Sequence, residues 1–284
     1  MRRPPPGETG SRAPRSRMDD AATSSEYAGS MLQRAQRRPQ FFYTTAPLPC
    51  PYLPGRTERK IVTELSGAES EALHDRLSRA GFRRSHNIAY APVCPGCQAC
   101  VPIRIVVDEF EPSRTQKRII KANLDVATHE VPARATAEQF SLFQRYQRAR
   151  HGDGDMAAMG YYDYRAMVED TPISTMMIEF RTAPDRLVGA CLTDWLSDGL
   201  SAVYSFFDPA LPSRSLGTQA ILHLVARARQ LRLPYVYLGY WVPQSAKMAY
   251  KARFFPSEIL AAGSWRRLNG EAPPAEVLVP ESVG

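Results

Sequence analysis

Apolar residues recur along this chain with two different periods, and each period predicts one type of element. Runs rich in β-branched residues, several of them alternating with polar positions, predict strands at residues 59–65, 101–110, 174–181, 187–196, 200–208 and 235–242. Apolar residues at helical spacing predict helices at 67–82, 112–125, 136–151 and 219–232. The pattern therefore predicts a mixed α/β protein with one or two cores.

The order of the elements in the second half of the chain limits the number of possible folds. Three strands are joined by hairpin-like turns at Pro184-Asp185 and Asp198-Gly199, and then a loop, a helix and a further strand follow. An antiparallel meander followed by a basic, glycine-containing loop, a helix and a strand is typical of a GNAT-type acyltransferase core. Because a helix N-terminus attracts phosphate, the loop predicts phosphate contacts at Arg214, Ser215 and Gly217.

Composition divides the chain into three parts. Residues 1–38 are rich in Pro, Gly, Ser, Ala and Arg and hold hardly any large aliphatic side chains, so they are predicted to be a disordered leader. The remainder is predicted to form an N-terminal domain with a cysteine loop at 39–132 and a GNAT-like transferase domain at 133–284. Met18 is an alternative start.

Charge adds a local rather than a global signal. The chain carries +7, but residues 1–17 alone hold five arginines and one glutamate. The helix predicted at 112–125 carries Lys117 and Arg118 on neighbouring turns, which predicts contacts with nucleic-acid phosphates. No apolar run approaches the roughly 18 residues of a membrane span, and no signal peptide is evident, so a cytoplasmic location is expected.

Thiols are concentrated in one short segment. Cys94, Cys97 and Cys100 follow one another at intervals of three residues, and Cys50 supplies a fourth thiol if the two loops meet. In a reducing compartment such a cluster is a candidate metal site. The alternative is a packed loop whose thiols are merely buried. Cys191 lies within a predicted strand and is expected in the core.

Six segments together resemble one enzyme family. FFYTTAPLPCPYLPGR, YAPVCPGCQACVPIR, PSRTQKR, SAVYSFFDP, RSLGT and YVYLGYWVPQSAKMAYKARFFPSE resemble the arginyl-tRNA-protein transferase family, in particular its bacterial leucyl-transferring branch. The resemblance extends over residues 40 to about 265. It implies an enzyme that moves leucine from Leu-tRNA to proteins with an N-terminal Asp or Glu and so marks them for degradation. Eukaryotic members associate their cysteines with a metal, an iron–sulfur centre or redox sensitivity.

Three alternatives stay open at this point. The same mechanism could transfer arginine, or the chain could be a non-enzymatic, zinc-stabilised RNA-binding protein. A coenzyme A-dependent acetyltransferase rests on fold analogy alone, and the single glycine of the loop argues mildly against it.

The transfer reaction predicts two groups of site residues. A polar relay is expected at Tyr204 and Asp208, at the end of the strand that precedes the phosphate loop. Recognition of an acceptor carboxylate calls for a cation, for which Arg56, Arg104 and Arg214 are candidates, the first two of them beside the cysteine loop. A second wall is expected from Tyr240 and Lys247, with Lys251 one turn further along a predicted helix.

A third polar cluster, at residues 150–160, resembles a metal loop only superficially. His151, Asp153 and Asp155 lack the spacing of a calcium hand. They are predicted to belong to a loop that ends the preceding helix.

Overall fold

The structure is a computed structural model that describes Met1, residues 39–150, Gly152 and residues 154–268. Apart from Met1, the predicted leader lies outside the described residues, and so do His151, Asp153 and the side chain of Asp155 in the predicted helix-ending loop. Within the described part, no helix combines the length and apolar character that crossing a membrane requires.

The first half forms a small antiparallel sheet covered by one helix. Its elements are β1 (Tyr43–Thr44), β2 (Leu48–Pro49), β3 (Thr57–Glu58), β4 (Lys60–Glu64), α1 (Ser70–Arg79), β5 (Arg83–Ser85) and β6 (Ile88–Pro92). The strand order is β1-β4-β6-β5, and β2 pairs only with β3. Leu65, Leu77 and Ala89 are buried together, so the apolar face of α1 packs on this sheet. Residues 93–100, here called the cysteine loop, follow β6.

The large sheet contains eight strands and carries the remaining helices. In chain order these elements are β7 (Val101–Val106), α2 (Arg114–Ala122), β8 (Ala127–Pro132), α3 (Ala137–Arg150), α4 (Tyr161–Glu169), β9 (Thr175–Thr182), β10 (Arg186–Leu196), β11 (Gly199–Phe207), α5 (Leu216–Gln230), β12 (Tyr235–Trp241), β13 (Ser257–Ala261) and β14 (Ser264–Arg267). The strand order is β14-β13-β7-β12-β11-β10-β9-β8. Among the described pairs only β11 and β12 run parallel.

This topology confirms the predicted α/β core. Strands β9, β10 and β11 form the antiparallel meander, and α5 connects β11 to its parallel neighbour β12. Strand β7, which the sequence analysis placed in the N-terminal domain, pairs with β12 and β13 inside the large sheet. The division into domains after residue 132 stays a prediction.

Helices cover both faces of the large sheet. The neighbouring residues Met177 and Ile178 belong to two different apolar clusters, because successive side chains of a strand point to opposite faces. Leu224 of α5 packs in the cluster of Ile178, whereas Phe143 of α3 and Tyr164 of α4 pack in the cluster of Met177. The sheet is therefore the middle layer of a three-layer arrangement.

The parallel strands β11 and β12 separate after three residue pairs. Their pairing ends at Ser201 and Tyr237. Both strands remain paired on their outer sides, where each pairing has a register shift, next to Gly239 in β12 and opposite Leu192–Thr193 in β11. The segments 202–207 and 238–241, here called the divided strands, thus leave backbone groups facing one another without a sheet partner.

Two local predictions near the divided strands were wrong. The helix expected to carry both Lys247 and Lys251 is a short 3-10 helix, Ala249–Arg253, which begins after Lys247. Lys251 is buried in it, while Lys247 stays exposed. Helix α5 begins at Leu216 rather than at 219, so Gly217 lies in its first turn. The left-handed backbone of Ser215, with φ of 50°, makes this earlier start possible.

Candidate active site at the cysteine loop and the divided strands

A pocket of about 430 Å³ opens between the cysteine loop, the segment 50–60 and the ends of β7, β12 and β13. Its walls combine thiols, aromatic rings and a few charges. They include Cys50, Cys94, Cys97, Cys100, Tyr52, Tyr90, Tyr240, Arg56, Glu58 and Lys60. We call this cavity the thiol pocket. Its size and largely apolar lining are typical of a small-molecule or peptide-terminus site.

The thiol pocket brings together all four cysteines that the sequence analysis grouped. Burial, followed by the neighbouring thiols, raises the pKa of Cys100 to about 12, so this group stays a neutral thiol at physiological pH. Cys94 accepts a hydrogen bond from the Arg59 amide at 3.4 Å. Among the described residues, no three His, Cys, Asp or Glu side chains converge closely enough to hold a metal ion. The described thiols are not gathered around one metal position, and the predicted metal site stays a prediction.

Two predicted acceptor residues line the thiol pocket. Arg56 is exposed, and among the described residues its guanidinium makes one long hydrogen bond, of 3.5 Å to the carbonyl of Gly96. The Tyr240 hydroxyl donates toward the carbonyls of Gly81 and Tyr90, each 3.1 Å away, and burial raises its pKa. Tyr240 is therefore a fixed wall, whereas Arg56 remains available to a ligand.

Lys60 is a pocket cation that the sequence analysis did not single out. Its ammonium pairs with Glu58 at 2.9 Å and lies 5.5 Å from the centre of the Tyr90 ring. In the sequence, Lys60 is one polar residue in a predicted strand, and nothing there marks it as a site residue. Its place at the pocket becomes visible only in the folded structure.

The structure does not bring the other two acceptor candidates to the thiol pocket. Arg104 donates to Glu258 at 2.9 Å and to the Tyr237 hydroxyl at 3.0 Å, and its guanidinium lies 3.5 Å from the centre of the Tyr235 ring. Its charge is thus neutralised within the sheet. Lys247 is exposed and is not among the residues that line the pocket.

Two cations, the half-buried Arg83 and the buried Lys251, lie near the divided strands. Arg83 donates through Nη2 to the carbonyls of Ala202 and Val203, at 2.8 and 3.0 Å, and its Nη1 atom is buried without a hydrogen-bond partner among the described residues. Its guanidinium packs against the backbone of Gly239, which has φ of +75° and where an added Cβ would lie 2.2 Å from Nη1. Glycine is therefore required there.

Lys251 is the second of these cations, and the sequence analysis misread its environment. Its ammonium donates to the carbonyl of Tyr240 at 2.7 Å. Burial and, next, the charge of Arg83 lower its pKa to about 7. The flanking aromatic residues Tyr250 and Phe254 were the only sequence signal that this lysine could be buried.

The predicted phosphate loop leads into the N-terminus of α5. Ser215 makes no side-chain cap, and the first-turn amides of Leu216 and Gly217 have no acceptor among the described residues. Gly217 lies against the Phe207 ring, where a Cβ would approach to 2.8 Å. The side chain of Arg214 instead forms a two-point ion pair with Asp125, at 2.8 and 2.9 Å.

The basic side chains of α2 remain exposed beside this loop. Lys117 and Arg118 have no ion-pair partner within the described ranges. Asn123, at the C-terminal end of α2, donates to the carbonyl of Arg214 at 2.8 Å, which joins the helix to the loop. The arrangement offers two cations and a helix N-terminus to an extended phosphate chain.

The side chains of both predicted relay residues are already bonded to neighbouring residues of the protein. Asp208 is 3% exposed, pairs with Arg186 and accepts from the Ala210 amide at 3.0 Å. The Tyr204 hydroxyl accepts a hydrogen bond of 2.6 Å from Gln147 of α3, and burial raises its pKa. Neither residue lines the thiol pocket. Their roles in proton transfer stay predictions.

Two family models match most of the chain. The profile described as arginine-tRNA-protein transferase, N terminus, matches residues 48–118, and the profile for the C terminus matches residues 138–261. The solved structure of FemX aligns with 84% of this chain and 74% of its own, at 10% identity and a TM-score of 0.42.

Two bacterial relatives are similar over nearly their whole length. A protein of Gluconacetobacter diazotrophicus is 65% identical over 246 residues, which are 87% of this chain and 95% of that protein. A protein of Granulibacter bethesdensis is 67% identical over 232 residues, which are 82% and 87% of the two chains. Both are named aspartate/glutamate leucyltransferase. The chain therefore belongs to the arginine-tRNA-protein transferase family, together with these aspartate/glutamate leucyltransferases.

Proposed function

We propose that this enzyme transfers leucine from Leu-tRNA to the N-terminal Asp or Glu of acceptor proteins, and thereby marks those proteins for degradation in the cytoplasm. The observation that carries the proposal is the position of Tyr240. Its side chain lines the thiol pocket, and its carbonyl, in one of the divided strands, accepts a hydrogen bond from the buried Lys251. A substrate in the pocket and a substrate in the gap between the divided strands would meet there.

The acceptor N-terminus fits the thiol pocket. A side-chain carboxylate needs a cation that is free to pair with it, and Arg56 and Lys60 supply two at the pocket wall. In the absence of an acceptor, Glu58 forms an ion pair with Lys60. Its negative charge also repels an acceptor carboxylate that is not paired with a cation. We assign acceptor recognition mainly to Arg56, because a guanidinium binds a carboxylate at two points.

The aminoacyl-tRNA fits the side of the sheet where α5 begins. The 3′ end of the tRNA would place a phosphate at the amides of Leu216 and Gly217, and the acceptor stem would follow Lys117 and Arg118 of α2. The aminoacyl ester would then reach into the gap between the divided strands. The relatives' name favours leucine over arginine as the amino acid transferred.

The reaction demands positioning more than activation. The ester is already reactive, and the acceptor amine has an ordinary pKa of about 7.7 to 8.0, so part of it is neutral near pH 7. Holding the amine and the ester in contact supplies a large share of the rate enhancement. A hydrogen-bond donor near the ester carbonyl stabilises the oxyanion that develops.

Labelled leucine or arginine, carried on charged tRNA, tests the proposal with peptides that differ only in their first residue. Asp and Glu peptides should accept leucine, while the isosteric Asn and Gln peptides and an Ala peptide should not. Equal labelling of all five peptides would remove the acceptor assignment. Preferential use of arginine when both charged tRNAs are present at equal concentration would replace the donor.

A further inference from the structure

Lys251 is a buried amine that is bonded to the backbone of a residue lining the thiol pocket. Only 8% of the residue is exposed, and within the described ranges no carboxylate pairs with it. Its ammonium donates to the carbonyl of Tyr240, 2.7 Å away. An ammonium without a counter-ion is costly to bury, so this position favours the neutral amine.

The groups around Lys251 reinforce that preference. Arg83, which reaches from β5 into the gap, lowers the pKa of Lys251 after burial has done so, and Cys100 from the cysteine loop acts weakly in the other direction. Cys100 itself stays protonated, because its own pKa is about 12, and the pKa of Tyr240 in β12 is raised as well. At neutral pH, Lys251 therefore divides between the ammonium and the amine.

The position of Lys251 relates it to both substrate paths. Its neighbours Tyr240 and Cys100 line the thiol pocket, on the acceptor side. On the donor side, Arg83, whose charge lowers the pKa of Lys251, donates to the carbonyls of Ala202 and Val203 in the divided part of β11. Phe207, at the end of that strand, packs against Gly217 at the start of α5. Lys251 is thus linked to the thiol pocket through Tyr240 and to the donor side through Arg83.

We propose that Lys251 is the catalytic residue that moves the proton in leucyl transfer, an inference that rests on the proposed function. The neutral acceptor amine attacks the ester carbonyl carbon, and a C–N bond forms. The nitrogen, now cationic, gives a proton to Nζ of Lys251. The C–O bond to the ribose breaks, and the Lys251 ammonium returns that proton to the departing ribose oxygen. The lysine ends neutral, and no other reactant is needed.

Arg83 acts through Lys251 and is a positioning residue. Its Nη2 replaces the missing strand partner of Ala202 and Val203, and so it fixes the gap in which the ester would lie. Its charge keeps Lys251 partly neutral. The Arg83→Met variant should therefore move the pH midpoint of kcat upward, whereas a merely structural arginine would leave the midpoint in place.

The test is single-turnover leucyl transfer to an Asp peptide between pH 5.5 and 9, with wild type and Lys251→Met. Methionine fills a similar volume but cannot take up a proton. Wild type should show a rate that rises with a midpoint near 7, and the variant should be about 100- to 10,000-fold slower at pH 7.5 without that midpoint. Arg76→Met, which removes an exposed cation of α1, is the matched control and should keep the wild-type rate and profile.

Two further readouts separate the possible failures. Because the chain has only five lysines, 15N-lysine NMR of the wild-type protein reports the titration of Lys251 directly, even if the variant does not fold. Titration of Nζ near 10.5 would overturn the inference, and so would a folded Lys251→Met with a rate within threefold of wild type. A wild-type protein that transfers no leucine to Asp peptides would instead refute the proposed function.

Discussion

Two arginines beside strand β12 differ in their electrostatic surroundings. Near the start of the strand, Arg104 is paired with Glu258 at 2.8 Å, lies 4.0 Å from Asp198 and stacks 4.2 Å from the centre of the Trp265 ring. Near its end, Arg83 has no carboxylate partner within the described ranges and donates to backbone carbonyls only. The paired half of the strand is thus neutralised and closed, whereas the divided half holds positive charge without compensation.

The difference teaches where this fold holds its chemistry. A buried ion pair with stacked aromatic rings serves the fold, because every charge already has a partner. A buried cation without a counter-ion costs stability, and clusters of this kind are enriched at functional sites. In this protein the buried Lys251 and the half-buried Arg83 form such a cluster near the place where β11 and β12 separate.

The largest expected effect comes from breaking the neutralised region. Replacing Arg104 by methionine leaves Glu258 and Asp198 without their cation, and should lower the free energy of unfolding by about 3 to 5 kcal/mol. Denaturant unfolding measures this change. In protein kept folded at low temperature, the KM for an Asp peptide should change less than threefold. A tenfold increase in this KM would instead show that Arg104 contributes to acceptor binding.

Acceptor recognition should show the next largest effect. Arg56→Ala removes a charge-assisted hydrogen bond worth about 1.5 to 3 kcal/mol, so the KM for Asp and Glu peptides should rise about 10- to 100-fold. Because Arg56 is exposed and weakly bonded, folding stability should stay the same. Steady-state kinetics with one peptide of each kind measures the effect. An unchanged KM would leave Lys60 as the pocket cation to test.

A smaller effect is expected for the donor. The paired changes Lys117→Ala and Arg118→Ala remove two phosphate contacts, so the plot of log affinity for Leu-tRNA against log salt should become less steep by about 2. Binding at several salt concentrations, compared with Arg76→Ala, measures the slope. A slope equal to that of wild type would place the tRNA elsewhere.

Much of the fold could be predicted from sequence pattern. The apolar runs of the meander and the helical spacing of α3 match the structure closely, because the meander strands are buried on both faces of the sheet and α3 packs on one of them. Strand β8 was missed because it lies at an edge of the sheet and is almost entirely exposed, without alternation. The end of pairing between β11 and β12 depends on contacts distant in sequence, and no local pattern encodes it.

The candidate site was predictable in part. Proline-rich turns and thiol spacing identified the pocket residues Cys50, Arg56 and Tyr240, which fold together although they are far apart in the chain. The pattern could not distinguish Lys247 from Lys251, since one lysine looks like another until its neighbours are known. Asp208 was favoured for its place at a strand end, but there its carboxylate accepts from the turn and pairs with Arg186.

The central claim is that the acceptor N-terminus occupies the thiol pocket, and the pocket's own cysteines can report on it. Alkylation of Cys50, Cys94 and Cys97 is followed by mass spectrometry with increasing Asp peptide, and the buried Cys191 serves as an internal reference. We predict protection that saturates at the same concentration as leucyl transfer, and no protection by the matched Asn peptide. Alkylation at an unchanged rate under saturating Asp peptide would contradict the account.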